Sequence, residues 1–277
     1  MFIAKHLNPK YILRLFKSFE DITPEINFHI QEDGILIRAM DSSRISLINC
    51  FVNKNEFDEY KLSEKCILGI NLESFCKLMS ISENIDTLTL SYKKSGDSLS
   101  MIFENDSRKT RFRLKLINLD ESLYEIGDIN YLTNITMDFS RFISMSNNIE
   151  VVLAETVEFN IKPNKVVVKA NGELSRVESI WKLDNNKLST KKPLLTKKLL
   201  PNGKFKLVKS KELEFSSELR DETFSASFNM PTIKKIFKIS SICDRIKVSF
   251  NEDAPLKLKF TTPNDSVLEY YVAPKCD

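Results

Sequence analysis

Apolar and polar residues alternate through residues 26–40, INFHIQEDGILIRAM, and the alternation is interrupted once, at Asp33-Gly34. A period of two on both sides of a dipeptide that suits tight turns predicts a β-hairpin. The pattern returns at residues 157–171, VEFNIKPNKVVVKAN. Without a gap, Phe28 falls on Phe159, Ile30 on Ile161, Ile35 on Val166 and Ile37 on Val168. A second block repeats too. Residues 71–92 align with 229–250, which sets Asn71 on Asn229, Leu78 on Ile236, Ile81 on Ile239 and Leu90 on Val248. The chain therefore reads as a duplicated unit.

A period near 3.6 marks four helices, at 9–21, 71–82, 139–149 and 230–242. In the first, Ile12, Leu15, Phe16 and Phe19 share one stripe, while Lys10, Arg14 and Lys17 share another. In the fourth, Asn229 is the expected cap and Pro231 stands in the first turn, where a missing N–H costs nothing. Met230, Ile233, Ile236 and Phe237 are its expected buried side, which leaves Lys234, Lys235 and Lys238 together. The second helix adds Lys77 and the third Arg141. Each half then runs strand, helix, hairpin, strand, second helix and further strands, an α+β unit richer in strand than in helix. Two segments read as edge strands, KTRFRLKL at 109–116 and RVESIWKL at 176–183. They carry Arg111, Phe112 and Arg113 in one half, and Val177, Ser179 and Trp181 in the other, as candidate self-association residues.

The second copy is the longer one. Its residues 182–211 hold ten lysines against one acid, Asp184, together with Pro193, Pro201 and Gly203. This insert is expected to be a long exposed loop or hairpin, either a solvated tether or a contact for nucleic acid or an acidic partner.

Composition narrows the class mainly by what it withholds. With 277 residues and 42% apolar content the chain can bury a large core, and no apolar run reaches the roughly 18 residues of a membrane span. The opening MFIAKHLNPK lacks a signal pattern, so a soluble intracellular protein is expected. Five cysteines occur without C-x-x-C spacing and read as reduced thiols. The two histidines lie far from any cysteine, and no two of the six glycines are close enough to write a phosphate loop or a dinucleotide fingerprint. No G-x-S-x-G elbow is present. Neither a metal nor a cofactor is expected, and the chain does not read as an enzyme. The net charge of +3 says little until the lysines are placed. If the basic helix stripes share one surface, they form a track for phosphates that is independent of base sequence.

Several segments resemble the eukaryotic sliding-clamp family: AMDSSRISL (39–47), LDESLYEIGD (119–128), YYVAPK (270–275), the opening MFIAK and GINLESFCKLM (69–79). The resemblance runs in order along nearly the whole chain apart from the insert. It implies a ring-forming homotrimer of two similar DNA-clamp domains per subunit, with helices lining the inner face and antiparallel sheets outside. The domains would be 1–114 and 134–277, joined by a connector at 115–133, with the lysine-rich insert at about 184–211. It implies a DNA replication and repair factor that encircles duplex DNA, confers processivity on a polymerase, tethers other proteins carrying a clamp-binding peptide and needs a clamp loader. Its place would be the nucleus, or the viral replication site for a virus-encoded chain. A subunit of a heterotrimeric checkpoint clamp is the alternative. The DNA-facing residues would be Lys10, Arg14, Lys17, Lys77, Arg141, Lys234, Lys235 and Lys238. The partner-peptide pocket would use Met40, Arg44, Ile45 and Leu47, then Leu123, Tyr124 and Ile126 of the connector, with Pro255, Tyr271, Ala273, Pro274 and Lys275. In that setting Asp41, Ser42 and Ser43 are turn formers that re-aim the chain.

Overall fold

The computed structural model describes residues 1–94, 96–120, 124–163, 165–182, 195–199, 205–209, 214–217 and 223–275. The first half contains β1 (Phe2–His6), α1 (Pro9–Lys17), β2 (Glu25–Gln31), β3 (Gly34–Met40), β4 (Ser46–Asn53) and β5 (Glu59–Leu62). It continues with β6 (Cys66–Asn71), α2 (Leu72–Ser80), β7 (Thr87–Tyr92), β8 (Ser98–Glu104) and β9 (Lys109–Lys115). The second half contains β10 (Thr133–Asp138), α3 (Phe139–Val151), β11 (Thr156–Lys162), β12 (Lys165–Asn171) and β13 (Arg176–Lys182). Then come β14 (Leu195–Leu199), β15 (Phe205–Lys209), β16 (Glu214–Ser217) and β17 (Phe224–Asn229). It closes with α4 (Met230–Lys234), a 3-10 helix (Lys235–Ser241), β18 (Arg245–Phe250), β19 (Leu256–Thr261) and β20 (Val267–Val272).

The duplication is visible strand for strand. The first half forms a sheet in the order β5-β1-β7-β8-β9, and the second repeats it as β16-β10-β18-β19-β20. A second sheet, β4-β3-β2-β6, is repeated as β13-β12-β11-β17. The predicted hairpins are β2–β3 and β11–β12, and their registers match: Ile30 opposes Ile35, and Ile161 opposes Val166. Gly34 has φ of +152°, and a Cβ there would lie 2.1 Å from the Val52 carbonyl oxygen, so the first turn needs its glycine. One pairing has no counterpart within the chain. β20 runs antiparallel to β4, from Val267 opposite Phe51 to Val272 opposite Ser46, and fuses five strands of one half with four of the other.

Helices pack on these sheets through the apolar stripes read from the sequence. Ile12, Leu15, Phe16 and Phe19 are buried, and the Phe16 ring meets Phe28 of β2 and Phe75 of α2 at 5.0 and 5.1 Å. α2 lies against α1, α1 against the 3-10 helix and the 3-10 helix against α3, so the four helical segments form one layer. The fourth helix differs from its expected span of 230–242. It is α-helical only to Lys234 and 3-10 thereafter. Ile233, Ile236 and Ile239 recur every third residue and all are fully buried, a spacing that a helix of three residues per turn satisfies better than one of 3.6. Within the insert, β14 and β15 pair as a hairpin, while the remaining insert positions from 183 to 211 lie outside the described residues.

Between β9 and β10 the chain crosses the outer side of the nine-stranded sheet. The Ile117 amide donates to the Gly69 carbonyl at 3.0 Å, and the Asn27 side-chain amide donates to the Asp120 carbonyl at 2.7 Å. This approach is close enough that a Cβ on Gly69 would sit 2.0 Å from the Ile117 carbonyl oxygen. Gly69→Ala is therefore expected to push the connector off β6, costing roughly 1–3 kcal/mol as overpacking does. Hydrogen exchange at the Ile117 amide should quicken in this variant; unchanged protection would show that the connector is not held by that contact.

Candidate functional site

Where β4 begins and β20 ends, the two halves meet beneath the connector around a cavity of about 230 Å³. Met40, Ile45 and Leu47 form one wall, Tyr271, Ala273 and Pro255 another, and Ile126 and Ile129 lean in from the connector. Arg44, Ser46, Glu125 and Gly127 complete the lining. Eight of the residues named from the sequence thus come together: Met40, Arg44, Ile45, Leu47, Ile126, Pro255, Tyr271 and Ala273. Ile129, Gly127, Glu125 and Ser46 were missed. Tyr124 stands exposed on the connector, outside the lining, and its carbonyl accepts from the Arg38 guanidinium at 3.2 Å. Pro274 is beyond the cavity. The Lys275 ammonium reaches the Thr156 hydroxyl at 2.7 Å and its amide donates to the Ser227 carbonyl, which ties the tail to the second half instead. Leu123 lies outside the described residues.

The turn that precedes β4 explains how one wall is aimed. Asp41 is 3% exposed, and its Oδ1 accepts the amides of Ile45 at 2.9 Å and Ser46 at 2.8 Å. Its Oδ2 accepts the Ser43 hydroxyl at 2.7 Å and faces the Lys235 ammonium at 3.3 Å. Arg44 takes the left-handed conformation, φ 57°, and the Ala273 amide then donates to the Ile45 carbonyl at 2.8 Å. So Asp41-Ser42-Ser43 is a carboxylate-centred turn, and Ile45 is left 42% exposed at the cavity mouth. Burial alone would raise the Asp41 carboxyl. The bonds from Ser46, Ser43 and Ile45 and the Lys235 ammonium outweigh it and hold the group below the ordinary carboxylate range.

The basic residues named for DNA all lie on the helical layer, in two electrostatic situations. Lys77 is paired with Glu73 at 2.6 Å, Lys234 with Glu150 at 2.6 Å, Lys235 with Asp41 and Lys238 with Asp21 at 2.7 Å. Lys10, Arg14, Lys17 and Arg141 have no acid within salt-bridge distance among the described residues. The candidate self-association strands are both sheet edges. β9 ends the five-stranded sheet and β13 ends the four-stranded one, with Phe112, Val177 and Trp181 partly buried against the core. Arg111 and Arg113 point outward, and Ser179 is half-buried.

Two repeated α+β halves fused into one sheet, with a helical layer on one side and an apolar cavity under a connector, define a clamp-type protein. Residues 1–123 match the family described as Proliferating cell nuclear antigen, N-terminal domain. The chain is 25% identical over 278 residues to the Proliferating cell nuclear antigen of Saccharomyces cerevisiae, covering 99% of this chain and 98% of that one. It is 24% identical over 264 residues to the protein of that name from Chaetomium thermophilum, covering 95% and 93%. The chain is thus similar to these clamps along nearly its whole length, and its first 123 residues match the family's N-terminal domain. Among the described residues, no group of three or more His, Cys, Asp or Glu side chains could hold a metal ion, and no helix is long and apolar enough to cross a membrane.

The Asp41 turn is open to a direct test. Asp41→Asn should cost about 1–3 kcal/mol at neutral pH, since buried amides and an ammonium lose a charged acceptor. Because the folded carboxyl titrates below its unfolded value, its contribution is complete above the unfolded pKa of about 4 and is lost as pH falls through the folded value. Urea unfolding curves of wild type and variant should therefore converge in acid. A gap that stays constant there would mean that the ionised carboxylate is not what holds the turn.

Proposed function

We propose that three copies of this chain close head to tail into a ring around duplex DNA and hold replication and repair proteins on it. The observation that carries this reading is the unmatched pairing in the duplicated fold. β20–β4 is satisfied within the chain, while its repeat counterparts, β9 and β13, are both open edges. An unpaired edge of this kind is a liability that a heterologous, ring-closing contact removes. Carried through the strand equivalences, the internal register sets Phe112 opposite Val177 and Arg111 opposite Glu178 of the next chain. The first pair would close the apolar side, and the second would match charges on the outer side.

Large apolar side chains flanking both edges support the same contact. Ile85 is 71% exposed just past α2, which packs against β9, and Ile81 is also exposed. Their repeat counterparts, Cys243 and Ile239, are buried within the chain. On the β13 side Val151, Leu153 and Leu174 are 80, 85 and 100% exposed. Ring closure would cover both groups, each fully buried side chain contributing roughly 1.5–3 kcal/mol.

Light scattering should give about three times 32.0 kDa for the chain alone. A monomer would favour the heterotrimeric checkpoint-clamp reading. Phe112→Glu should yield monomers, because it places a charge in the apolar half of the ladder. Arg111→Cys combined with Glu178→Cys should form a covalent ring under oxidation, since opposed residues of an antiparallel pair stand about 4.5–5.5 Å apart at Cα. A trimer that resists both changes has another interface.

In this ring the helical layer faces the DNA and the pocket faces outward. The pocket would take a short helical turn bearing one apolar and two aromatic anchors from a polymerase or another tethered protein, with micromolar binding after the cost of ordering the peptide. A clamp loader and the nucleus, or a viral replication site, complete this functional setting. DNA contact would rest chiefly on Lys10, Arg14, Lys17 and Arg141, with Lys77, Lys234 and Lys238 shared between acids and phosphates. Arg14→Glu with Lys17→Glu should weaken DNA binding at low salt by roughly tenfold or more, uniformly across sequences. Lys235→Gln should scarcely change it and should instead lower thermal stability through Asp41. A larger loss of DNA binding in Lys235→Gln than in the Arg14 and Lys17 double variant would reverse this ranking.

A further inference from the structure

The apolar cavity does not end at the connector. It shares Ile126, Gly127, Ile129 and Tyr271 with a polar cavity of about 240 Å³, which in turn shares Tyr131 and Lys257 with a third of about 270 Å³. Together they form one groove on the outer face of the sheet, running from β4 across β20 and β19 to β18. Its chemistry changes along the way, from apolar walls to lysines.

The far end is electrostatically unresolved. Lys247 of β18 stands directly opposite Lys259 of β19 in the ladder, and like charges so placed destabilise a sheet. Glu269 answers Lys257 at 2.8 Å and Lys259 at 3.6 Å, but no acid among the described residues comes within salt-bridge distance of Lys247. Lys257 is further held over the rings of Tyr131 and Tyr271, at 5.7 and 5.5 Å, which fixes its ammonium at the point where the cavities join. One carboxylate thus serves two lysines, and the third has no acid within salt-bridge distance among the described residues.

We infer that this basic end receives an acidic segment flanking the anchor of the bound partner peptide, with Lys247 and Lys259 as its principal contacts. The inference rests on the reading of the apolar cavity as the peptide pocket. Charge complementarity and the unbroken groove argue for a carboxylate-bearing peptide. Nucleic acid is the poorer fit, because it would leave the adjoining apolar walls unused. An acidic flank would sort partners by the residues beside their anchors, and would speed their encounter with the clamp.

The test uses three synthetic peptides with one shared anchor, an apolar residue followed by paired aromatics. One carries a run of glutamates before the anchor, one carries it after, and one carries glutamines at both places. Anisotropy titrations with the intact protein should show one glutamate peptide binding roughly five- to tenfold more tightly than the glutamine peptide at low salt, with the advantage shrinking as salt rises. Lys247→Gln combined with Lys259→Gln should abolish that advantage and leave the glutamine peptide's affinity unchanged. No advantage for either glutamate peptide, or an advantage that survives the double variant, overturns the inference while leaving the pocket in place. A glutamine peptide that fails to bind, or binds Ile126→Ser equally well, overturns the pocket reading and this inference with it.

Discussion

Because β20 pairs with β4, the sheet of one half continues into the sheet of the other, and every later feature of the chain depends on that ladder. The ladder brings the start of β4, with Leu47 and its preceding Asp41 turn, beside the end of β20, with Tyr271 and Ala273. The apolar cavity exists only because those ends coincide. The repeat offers the same geometry at β9 and β13, but not the same residues. Arg113 stands where Tyr271 does, Arg176 where Leu47 does and Asn171 where Met40 does, so the open edges present charged and amide groups in place of an apolar wall. Duplication supplied two junctions, and divergence of a few outward side chains lined one with an apolar cavity and left the other as two open edges.

The inner layer and the pocket are joined through a single carboxylate. Asp41 closes the turn that aims Ile45, and it also takes the ammonium of Lys235 from the 3-10 helix. A buried carboxylate with three hydrogen bonds and a cation is costly to leave half satisfied, so turn and helix hold one another in place. Elsewhere in the layer, lysines are answered by exposed acids at Asp21, Glu73 and Glu150. Exposed pairs of this kind are weak and can be exchanged for phosphates. A layer so balanced would attract a polyanion without gripping it, as the proposed movement along DNA requires.

The duplicated fold was legible because strict alternation survives in both copies, with an Asp-Gly turn marking the first hairpin, and the burial stripe of α1 was legible from Ile12, Leu15, Phe16 and Phe19. The 3-10 helix was not read, although Ile233, Ile236 and Ile239 spell its period, because the same isoleucines also satisfy a helical stripe over a short window. Eight of the residues that line the cavity were named through the resemblance of AMDSSRISL, LDESLYEIGD and YYVAPK to a known family. Ile129 was missed because it stands three residues from both Ile126 and Leu132, a spacing that fits neither the strand period nor the α-helical one. Nor could the sequence place Lys235 on Asp41, since a contact across the whole chain leaves no local pattern. Tyr124 was assigned to the lip on family likeness, yet its carbonyl, not its ring, makes the contact that fixes the connector.

The connector is held differently at its ends and in its middle. At one end Asn27 and Arg38 donate to the carbonyls of Asp120 and Tyr124. At the other, Asn251 donates to the Asn130 carbonyl and the Tyr131 hydroxyl donates to the Pro255 carbonyl. Between these pins, a Cβ on Gly127 would meet nothing within 4 Å. The cavity therefore has two walls held by the sheet and a lip that is anchored on both sides, with open space around Gly127. Rigid walls lower the cost of binding, because little of the site must be ordered when a peptide arrives. Open space at Gly127 would let anchors of different bulk be enclosed without moving the sheet. If the cavity takes a peptide as proposed, one site would serve many partners at moderate affinity, and discrimination among them would come from residues outside the anchor, where the groove turns from apolar to basic.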